Sequence, residues 1–514
     1  VDIRLGTEHI QMYLRTFCGK YEHIQESDIT APDYMPDIGS IIDVSRRAYV
    51  LHKEAAAGSV TVTGDVIYHI LYRSIQGGTE SIAFSDGFSH TFEAAGAAEG
   101  AFVTASADAV HCQWRQISPR RLNVSSVIEI SACVYSETST PVTTSVEGAQ
   151  DIETLSGTAD LFVCTDITEK SFQAADEIEI PSAKAPVGDL LRYDADVAVS
   201  EVRTVNGKVV IKGAVRLTAL YAAEEGGGFE SVTGELPFAQ IIDLPRALDE
   251  SVTDVDAQLT SLSVSTLADE DGQMRRLRVT ADVLVTAAAC EQLHRELLYD
   301  AYGLETKLDM EKKDVPLSSL VVSADRSVTL RGAMAPAPGM PEISRVVAVT
   351  ARPVGTVTAI TDGRVQVKSG VEAVGLYQSD GDDNIYQMTT TLPLEWSQEA
   401  PQGEGLSAEG RVTVSAVSFN INMSSEVEIR VVCEVYIKIL RDSTASQIIS
   451  IKTRDEPACA ERHSLVLYYP QKGDTLWETA KRYAVRLGEL MELNGITEGE
   501  DISRRGMIRI ERRP

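Results

Sequence analysis

Positive charge is scarce in this sequence. Lys and Arg number 47 against 76 Asp and Glu, a formal net charge of −29. Such an excess repels phosphate backbones and anionic lipid surfaces, so neither nucleic acid nor a membrane is expected as a main partner. Long apolar runs are also missing: nothing approaches the roughly 18 residues that a spanning helix needs. Aromatic residues make up only 6% of the chain, so its cores must be filled by aliphatic side chains. The seven cysteines (Cys18, Cys112, Cys133, Cys164, Cys290, Cys433 and Cys459) are odd in number, widely spaced and without any C-x-x-C. This pattern suits reduced thiols acting as small core residues better than a disulfide framework or a zinc site. The stretch from Val1 to Leu14 lacks a basic start followed by an apolar core, so no secretory signal and an intracellular setting are expected. No G-x-S-x-G, H-E-x-x-H or phosphate-binding glycine loop occurs. Neither an enzyme nor a bound cofactor or metal is expected.

At 514 residues and about 150 per domain, three or four domains are expected, and an internal repeat divides them. Met35-PDIGSIIDV, Lys184-APVGDLLRY and Met340-PEISRVVAV each begin near a proline and then place apolar residues at i, i+3 and i+4. The sets are Ile38/Ile41/Ile42, Val187/Leu190/Leu191 and Ile343/Val346/Val347. The spacing predicts a short helical turn with one apolar face. Twenty-two residues after the first of each set stand Val60, Val209 and Val365; at twenty-four, Val62, Ile211 and Val367; at twenty-eight, Val66, Val215 and Val371. At thirty-four stand Tyr72, Tyr221 and Tyr377, each preceded by a leucine (Leu71, Leu220, Leu376). Gly64 and Gly213 match at twenty-six, where the third repeat has Ser369. One register kept through all these positions means a domain triplication.

The matched runs SVTVTGDVIYHILY, KVVIKGAVRLTALY and RVQVKSGVEAVGLY alternate apolar and polar residues, the mark of strands with one buried face. Ala57-Gly58, Asn206-Gly207 and Asp362-Gly363 precede them, and the last two predict two-residue hairpin turns. Each repeat closes on another alternating run. The fold class is therefore mainly β: three tandem β-rich domains with approximate limits 5–145, 146–295 and 296–442. A helix is expected over Cys290 to Leu308, with Leu293, Leu297 and Leu298 on one face. The polar, proline-containing stretch 443–463 reads as a linker.

Residues 464–511 form a different module. Residues 464–514 carry nine Lys and Arg against eight Asp and Glu, so about −30 sits in the chain before them. A short strand from Leu465 to Tyr469 leads to Lys472-Gly-Asp-Thr. Asp474 or Thr475 can cap a first helix, Thr475-x-x-Glu478 being a capping box, and its inner face is Leu476, Ala480, Tyr483 and Ala484. A second helix with Leu487, Leu490, Met491 and Leu493 ends at Asn494-Gly495, suited to a left-handed cap. Met507-IRI is a last strand, giving the order βααβ.

KGDTLWETAKRYAVRLGELMELNGI closely resembles a LysM domain over nearly the whole module. Where that family often has Ser or Thr before the second helix this chain has Arg486, and in place of its usual Pro-Gly before the last strand stands Arg505-Gly506. LysM modules commonly bind N-acetylglucosamine chains in a shallow groove between two loops, here Gly473 to Trp477 and Asn494 to Ile502. The PDIxxII segment, strand pair and LY of the repeats resemble the SPOCS domain of spore coat proteins. Tandem SPOCS domains followed by one LysM domain resemble the SipL type of coat morphogenetic protein. That resemblance implies a non-enzymatic adaptor in the mother-cell cytoplasm, docked through its LysM domain on the coat-scaffold ATPase SpoIVA at the forespore surface, with other coat proteins as further partners and self-association open. The alternative reading is a peptidoglycan or N-acetylglucosamine-binding protein of the wall or cortex. The partner-binding residues it points to are Gly473, Asp474, Thr475, Leu476, Trp477, Asn494, Gly495 and Ile496.

Other clusters carry blander readings. Gly226-Gly-Gly-Phe and Asp380-Gly-Asp-Asp-Asn read as hairpin tips, the latter without the ligand spacing of a calcium loop. His111 and Cys112, adjacent in a strand, point to opposite faces. Asp33, Asp37 and Asp43 read as helix-start charge. Tyr72, Tyr221 and Tyr377 read as repeated packing residues. Trp477 fits packing and partner contact equally.

Overall fold

The computed structural model describes residues 3–148, 151–224, 228–382, 384–422, 426–459, 464–497 and 499–511. The glycine tip at 226–227 falls outside them, as do 460–463. The first repeat comprises β1 (Arg4–Thr30), β2 (Ile38–Ala56), β3 (Ser59–Ser74), β4 (Thr79–Glu93), β5 (Phe102–Ser118) and β6 (Arg121–Glu147). The second comprises β7 (Ile152–Glu179), β8 (Val187–Val205), β9 (Lys208–Ala223), β10 (Phe229–Asp243), β11 (Val252–Ala268) and β12 (Met274–Gly303). The third comprises β13 (Thr306–Met334), β14 (Arg345–Thr361), β15 (Arg364–Gln378), β16 (Ile385–Glu399), β17 (Leu406–Ile421) and β18 (Val427–Pro457). In each repeat the first, fifth and sixth strands form a long antiparallel sheet, and the second, third and fourth a short one. The long sheets of repeats 1 and 2 join through β1 and β7, at Tyr13 opposite Cys164.

The two sheets of a repeat pack as a sandwich because the period-two pattern puts one apolar row inward on each. The twelve positions matched at +22, +24, +28 and +34 are all 0% exposed. In the first repeat Val60, Val62 and Val66 share a cluster with Leu122, Val124, Ile128 and Ile130 of the facing sheet. Tyr72, Tyr221 and Tyr377 donate their hydroxyls to the carbonyl oxygens of Pro36, Ala185 and Pro341 at 3.0, 3.0 and 3.1 Å. Each ring thus fastens the end of the central strand to the entry of the sheet. Gly64 and Gly213 are demanded by the neighbouring strand: a Cβ there would lie 2.0 Å from the Tyr49 carbonyl oxygen and 2.3 Å from that of Ala198. Where Ser369 stands, β14 steps aside through a wider register shift between Val354 and Val357. The turns at Asn206-Gly207 and Asp362-Gly363 have positive φ at both residues (49° and 71°, 51° and 69°), the hairpin geometry expected of them.

Four expectations fail. The i, i+3, i+4 sets are not helical. Ile38–Ile42 and Val187–Leu191 lie in β2 and β8, with register shifts between Ile38 and Ser40, Ile41 and Asp43, Val187 and Asp189, and Leu190 and Arg192. In the third repeat Ile343 precedes β14, which carries a shift between Val346 and Ala348. A bulge leaves one residue unpaired and bends the strand, so residues three apart fall on one face and imitate a helix. Cys290 to Leu308 is also extended, in β12 and β13. Its middle, from Leu297 to Gly303, is covered on both faces, with Leu297 in one apolar cluster and Leu298 in another, which erased the period of two. Residues 443–457 are no linker but the continuation of β18, paired with β13 as far as Thr306 opposite Pro457. Finally, Cys18 and Cys133 are directly opposed on β1 and β6 and form a disulfide, so not all seven thiols are free. Their separation of 115 residues hid a pairing that strand register alone creates.

The repeats close on one another around a pseudo-threefold axis. The short sheets touch in a cycle, β4 on β8, β10 on β14 and β16 on β2. On the axis, Leu71, Leu220 and Leu376 form one cluster with Ile42, Leu191 and Val347. The i+4 residue of each set therefore faces its neighbours, while Ile41, Leu190 and Val346 face their own cores. One position further along each set stand Asp43, Arg192 and Ala348. Asp43, expected at a solvated helix start, is instead buried in an ion pair with Arg192 and accepts a bond from Gln387 Nε2 at 2.6 Å.

Candidate functional site

The C-terminal module has β19 (Leu465–Tyr468), α1 (Leu476–Tyr483), α2 (Leu487–Asn494) and β20 (Ile508–Glu511), with a short 3-10 turn at Ile502–Arg504 before the last strand. The order βααβ is as the sequence predicts. Thr475 Oγ1 accepts the Glu478 N–H at 3.1 Å and caps α1. Gly495 ends α2 in the left-handed region at φ 57°, and Ala484 does the same for α1 at φ 50°.

The candidate residues divide by what they touch. Gly473, Thr475 and Gly495 are exposed, and Asp474 and Asn494 are half-buried. Leu476, Trp477 and Ile496 belong to a single apolar cluster with Ile502, Ile508 and Ile510. Asp474 fixes the first loop by accepting the Tyr468 hydroxyl and the Gln471 N–H, the latter at 2.7 Å. The Tyr468 bond holds its carboxylate below the usual range. Asn494 ties α2 to β20: its Nδ2 donates to the Leu490 and Arg509 carbonyls at 2.9 and 2.7 Å, and its Oδ1 accepts the Arg509 N–H at 2.7 Å.

Both departures from the LysM pattern have structural work. Arg505 donates to the carbonyl oxygens of Asn494 and Gly495 at 2.8 and 2.9 Å and pairs with Glu500 at 2.7 Å. One guanidinium thereby caps the free carbonyls at the end of α2 and cross-braces the second loop. Arg486 reaches out of the module to Glu153 at 3.4 Å.

That reach is part of a seat on the repeats. Trp477 Nε1 donates to Asp300 Oδ2 at 2.9 Å, and its ring meets Tyr302 edge-on with centroids 4.9 Å apart. Lys481 Nζ lies 2.8 and 2.6 Å from the two Asp300 oxygens, and Lys312 is 3.2 Å away. The Tyr302 hydroxyl donates to the Val485 carbonyl at 2.7 Å. Burial pushes the Asp300 carboxyl upward, but Lys481, Trp477 and Lys312 together outweigh it and hold the group below its usual range. Tyr302 and Leu304 complete the module's own core. Asp300 and Tyr302 were missed in the sequence because they lay in the segment read as a helix. The signal there was an acidic residue inside an otherwise apolar strand end.

Family models match at two places: the SipL, SPOCS domain over residues 186–267 and the LysM domain over 471–502. The chain carries the SipL-type pairing of SPOCS and LysM domains. No curated protein and no solved structure matches it. The SPOCS match spans β8 to β11 of the second repeat, and the first and third repeats share its strand order. Both are families of binding domains, and the SPOCS match makes the second repeat similar to the domain of a sporulation coat protein. No helix among the described residues is long and apolar enough to cross a membrane.

Proposed function

We propose that this chain is a non-enzymatic adaptor of spore coat assembly, acting in the mother-cell cytoplasm at the forespore surface. Its LysM module docks on the coat-scaffold ATPase SpoIVA while the acidic repeats present surfaces to other coat proteins. The observation that carries the reading is the joining of SPOCS and LysM domains in one chain. The docking rim is formed by Gly473, Asp474, Thr475, Leu476 and Trp477 on one side and Asn494, Gly495 and Ile496 on the other. The seating of the module supports this use: a rim held at a fixed place loses less freedom on binding than one on a loose tether. The test is to capture SpoIVA with the full chain and with Thr475→Asp/Gly495→Asn, which alters the exposed rim while keeping a side-chain cap on α1 and a residue that accepts the left-handed end of α2. Loss of capture by the variant, with the intact chain binding, is the expected result. Equal capture by both sinks the rim assignment.

The LysM match also favours a second reading, binding of N-acetylglucosamine chains in the same groove. Titrating the full chain with chitin-type oligosaccharides separates the two. Saturable sugar binding without SpoIVA capture would replace the adaptor reading by the glycan one.

A further inference from the structure

Two cysteines face each other where the repeats meet. Cys164 on β7 is directly opposite Cys290 on β12. A bulge puts them there: Ala289 is opposite Asp166, and the register then skips Thr165, which would otherwise face Cys290. The Thr165 hydroxyl donates to the Ala289 carbonyl at 3.3 Å and holds the bulge. Directly opposed residues of antiparallel strands have Cα atoms about 4.5–5.5 Å apart, within the span of a disulfide. Cys18 and Cys133, directly opposed on β1 and β6, are joined in this way.

The repeats supply an internal control. The equivalent opposed pairs are Arg15 with Tyr135 in the first repeat and Leu320 with Leu440 in the third, each beside the same bulge. The fold accepts a cation and a ring, or two leucines, at this place. Packing therefore does not call for two thiols there; what sets the second repeat apart is sulfur chemistry.

The place is a joint. Cys164 also pairs with Tyr13 of β1, where the long sheets of repeats 1 and 2 join. Cys290 is also opposite Val252, two residues from Asp254, whose carboxylate holds Lys438 of β18 at 2.5 Å. Both thiols are half-buried. The Cys164 thiol, bonded to Cys290, outweighs burial there and with the Lys438 ammonium holds Cys290 below the usual thiol range; the same bond and burial push Cys164 up. Cys112 and Cys433 lack such a neighbour, being opposite Ser126 and Val328, and burial pushes both thiols up.

We infer that Cys164 and Cys290 are an oxidation site that a peroxide closes into a second disulfide, clamping the joint of the three repeats. The Cys290 thiolate attacks one peroxide oxygen, the O–O bond breaks, and the hydroxide released takes a proton to become water. Cys290 is then a sulfenic acid. The Cys164 sulfur attacks it, the Cys290 S–O bond breaks, and the hydroxyl leaves with the Cys164 proton as a second water. The two sulfurs lose two electrons and the peroxide gains them. An oxidant this small suits a half-buried pair. The new bond closes the chain between positions 164 and 290 and so restrains its unfolded state.

To test this, the full chain is reduced, treated with limiting hydrogen peroxide, alkylated in denaturant and mapped by mass spectrometry. The expected product is a linked Cys164–Cys290 peptide that a thiol reductant separates, formed while Cys112 and Cys433 are still alkylated. Peroxide should also raise the urea midpoint of the wild type more than that of Cys164→Ser, which can form Cys18–Cys133 but not this link. Cys164→Ala replaces that variant if the serine is not tolerated, and the mapping needs no variant at all. Free thiols at both positions at a dose that oxidises Cys433 would overturn the inference. So would Cys290 linked to a different cysteine, or a Cys164–Cys290 link that leaves the midpoint where it was.

Discussion

At the centre of the body, Leu71, Leu220 and Leu376 meet from three repeats in an apolar cluster, whereas the tail is seated around one carboxylate, Asp300. The first contact is repeated by symmetry and shielded from water. The second centres on a polar hub ringed by partly exposed lysines, with Tyr302 and Leu304 packed into the tail's core and Arg486 reaching Glu153 beside it. The contrast implies a rigid three-repeat body and a tail that conditions can loosen. The body also shows how duplicated surfaces come to dock in a fixed order. Identical residues on a threefold axis would face like charge with like; here the three equivalent positions have become Asp43, Arg192 and Ala348.

The largest effect should come from breaking that asymmetry. Arg192→Met leaves Asp43 buried without its cation, a loss of about 3–5 kcal/mol, measurable by urea unfolding. Adding Asp43→Leu should recover most of it; no recovery would mean the pair is not isolated in this way. Next is Leu376→Ala, a fully buried side chain whose truncation costs about 2–5 kcal/mol. If the repeats are one body, its midpoint shift should be shared by probes placed in all three. A shift confined to the third repeat would make them beads.

Asp300→Asn should have a smaller effect, about 1–2 kcal/mol, because the lysines are partly exposed. It should fall on the tail alone, seen as faster hydrogen exchange at Val485 and Trp477. The same hub gives the tail a pH response. A carboxylate held below its usual range contributes stability above its unfolded pKa of about 3.9, and this is lost as pH falls through the folded value. Release of the tail near and below pH 4, ahead of the body, is the expected outcome. Simultaneous unfolding would remove the contrast. The smallest change is Tyr221→Phe, about 1 kcal/mol for one neutral hydrogen bond. Burial pushes the Tyr221 hydroxyl up to about 12, so the stability it lends is complete below pH 10 and lost as pH rises toward 12. Base titration of the wild type should show a larger loss than that of Tyr221→Phe, which keeps the buried hydroxyls of Tyr72 and Tyr377.

Much of this was legible in the residues. The alternation of Val60, Val62 and Val66 with polar neighbours means a half-buried strand wherever the chain goes, because side chains on a strand must alternate. Asn206-Gly207 requires left-handed backbone that few other pairs accept. Thr475 and Gly495 mark helix ends because they answer backbone groups within four residues. In each case the chemistry and its partner lie close together in sequence. The failures share the opposite property. Ile38/Ile41/Ile42 looked helical because bulges against β3 shifted its faces. Leu297 and Leu298 lost their alternation because other strands cover both sides. Trp477 could be read as packing, but not as packing on Asp300 and Tyr302.

The sequence by itself therefore determined the three β repeats, the βααβ tail and the family to which each is similar, since all rest on local periodicity and short-range caps. The tertiary structure decided how they are joined. Strand register opposed Cys18 to Cys133, the threefold closure buried Asp43 against Arg192, and the seat of the tail brought Trp477 to Asp300. These pairs lie more than a hundred residues apart, and no local pattern encodes which distant groups will be left facing one another once each element has buried its own apolar side.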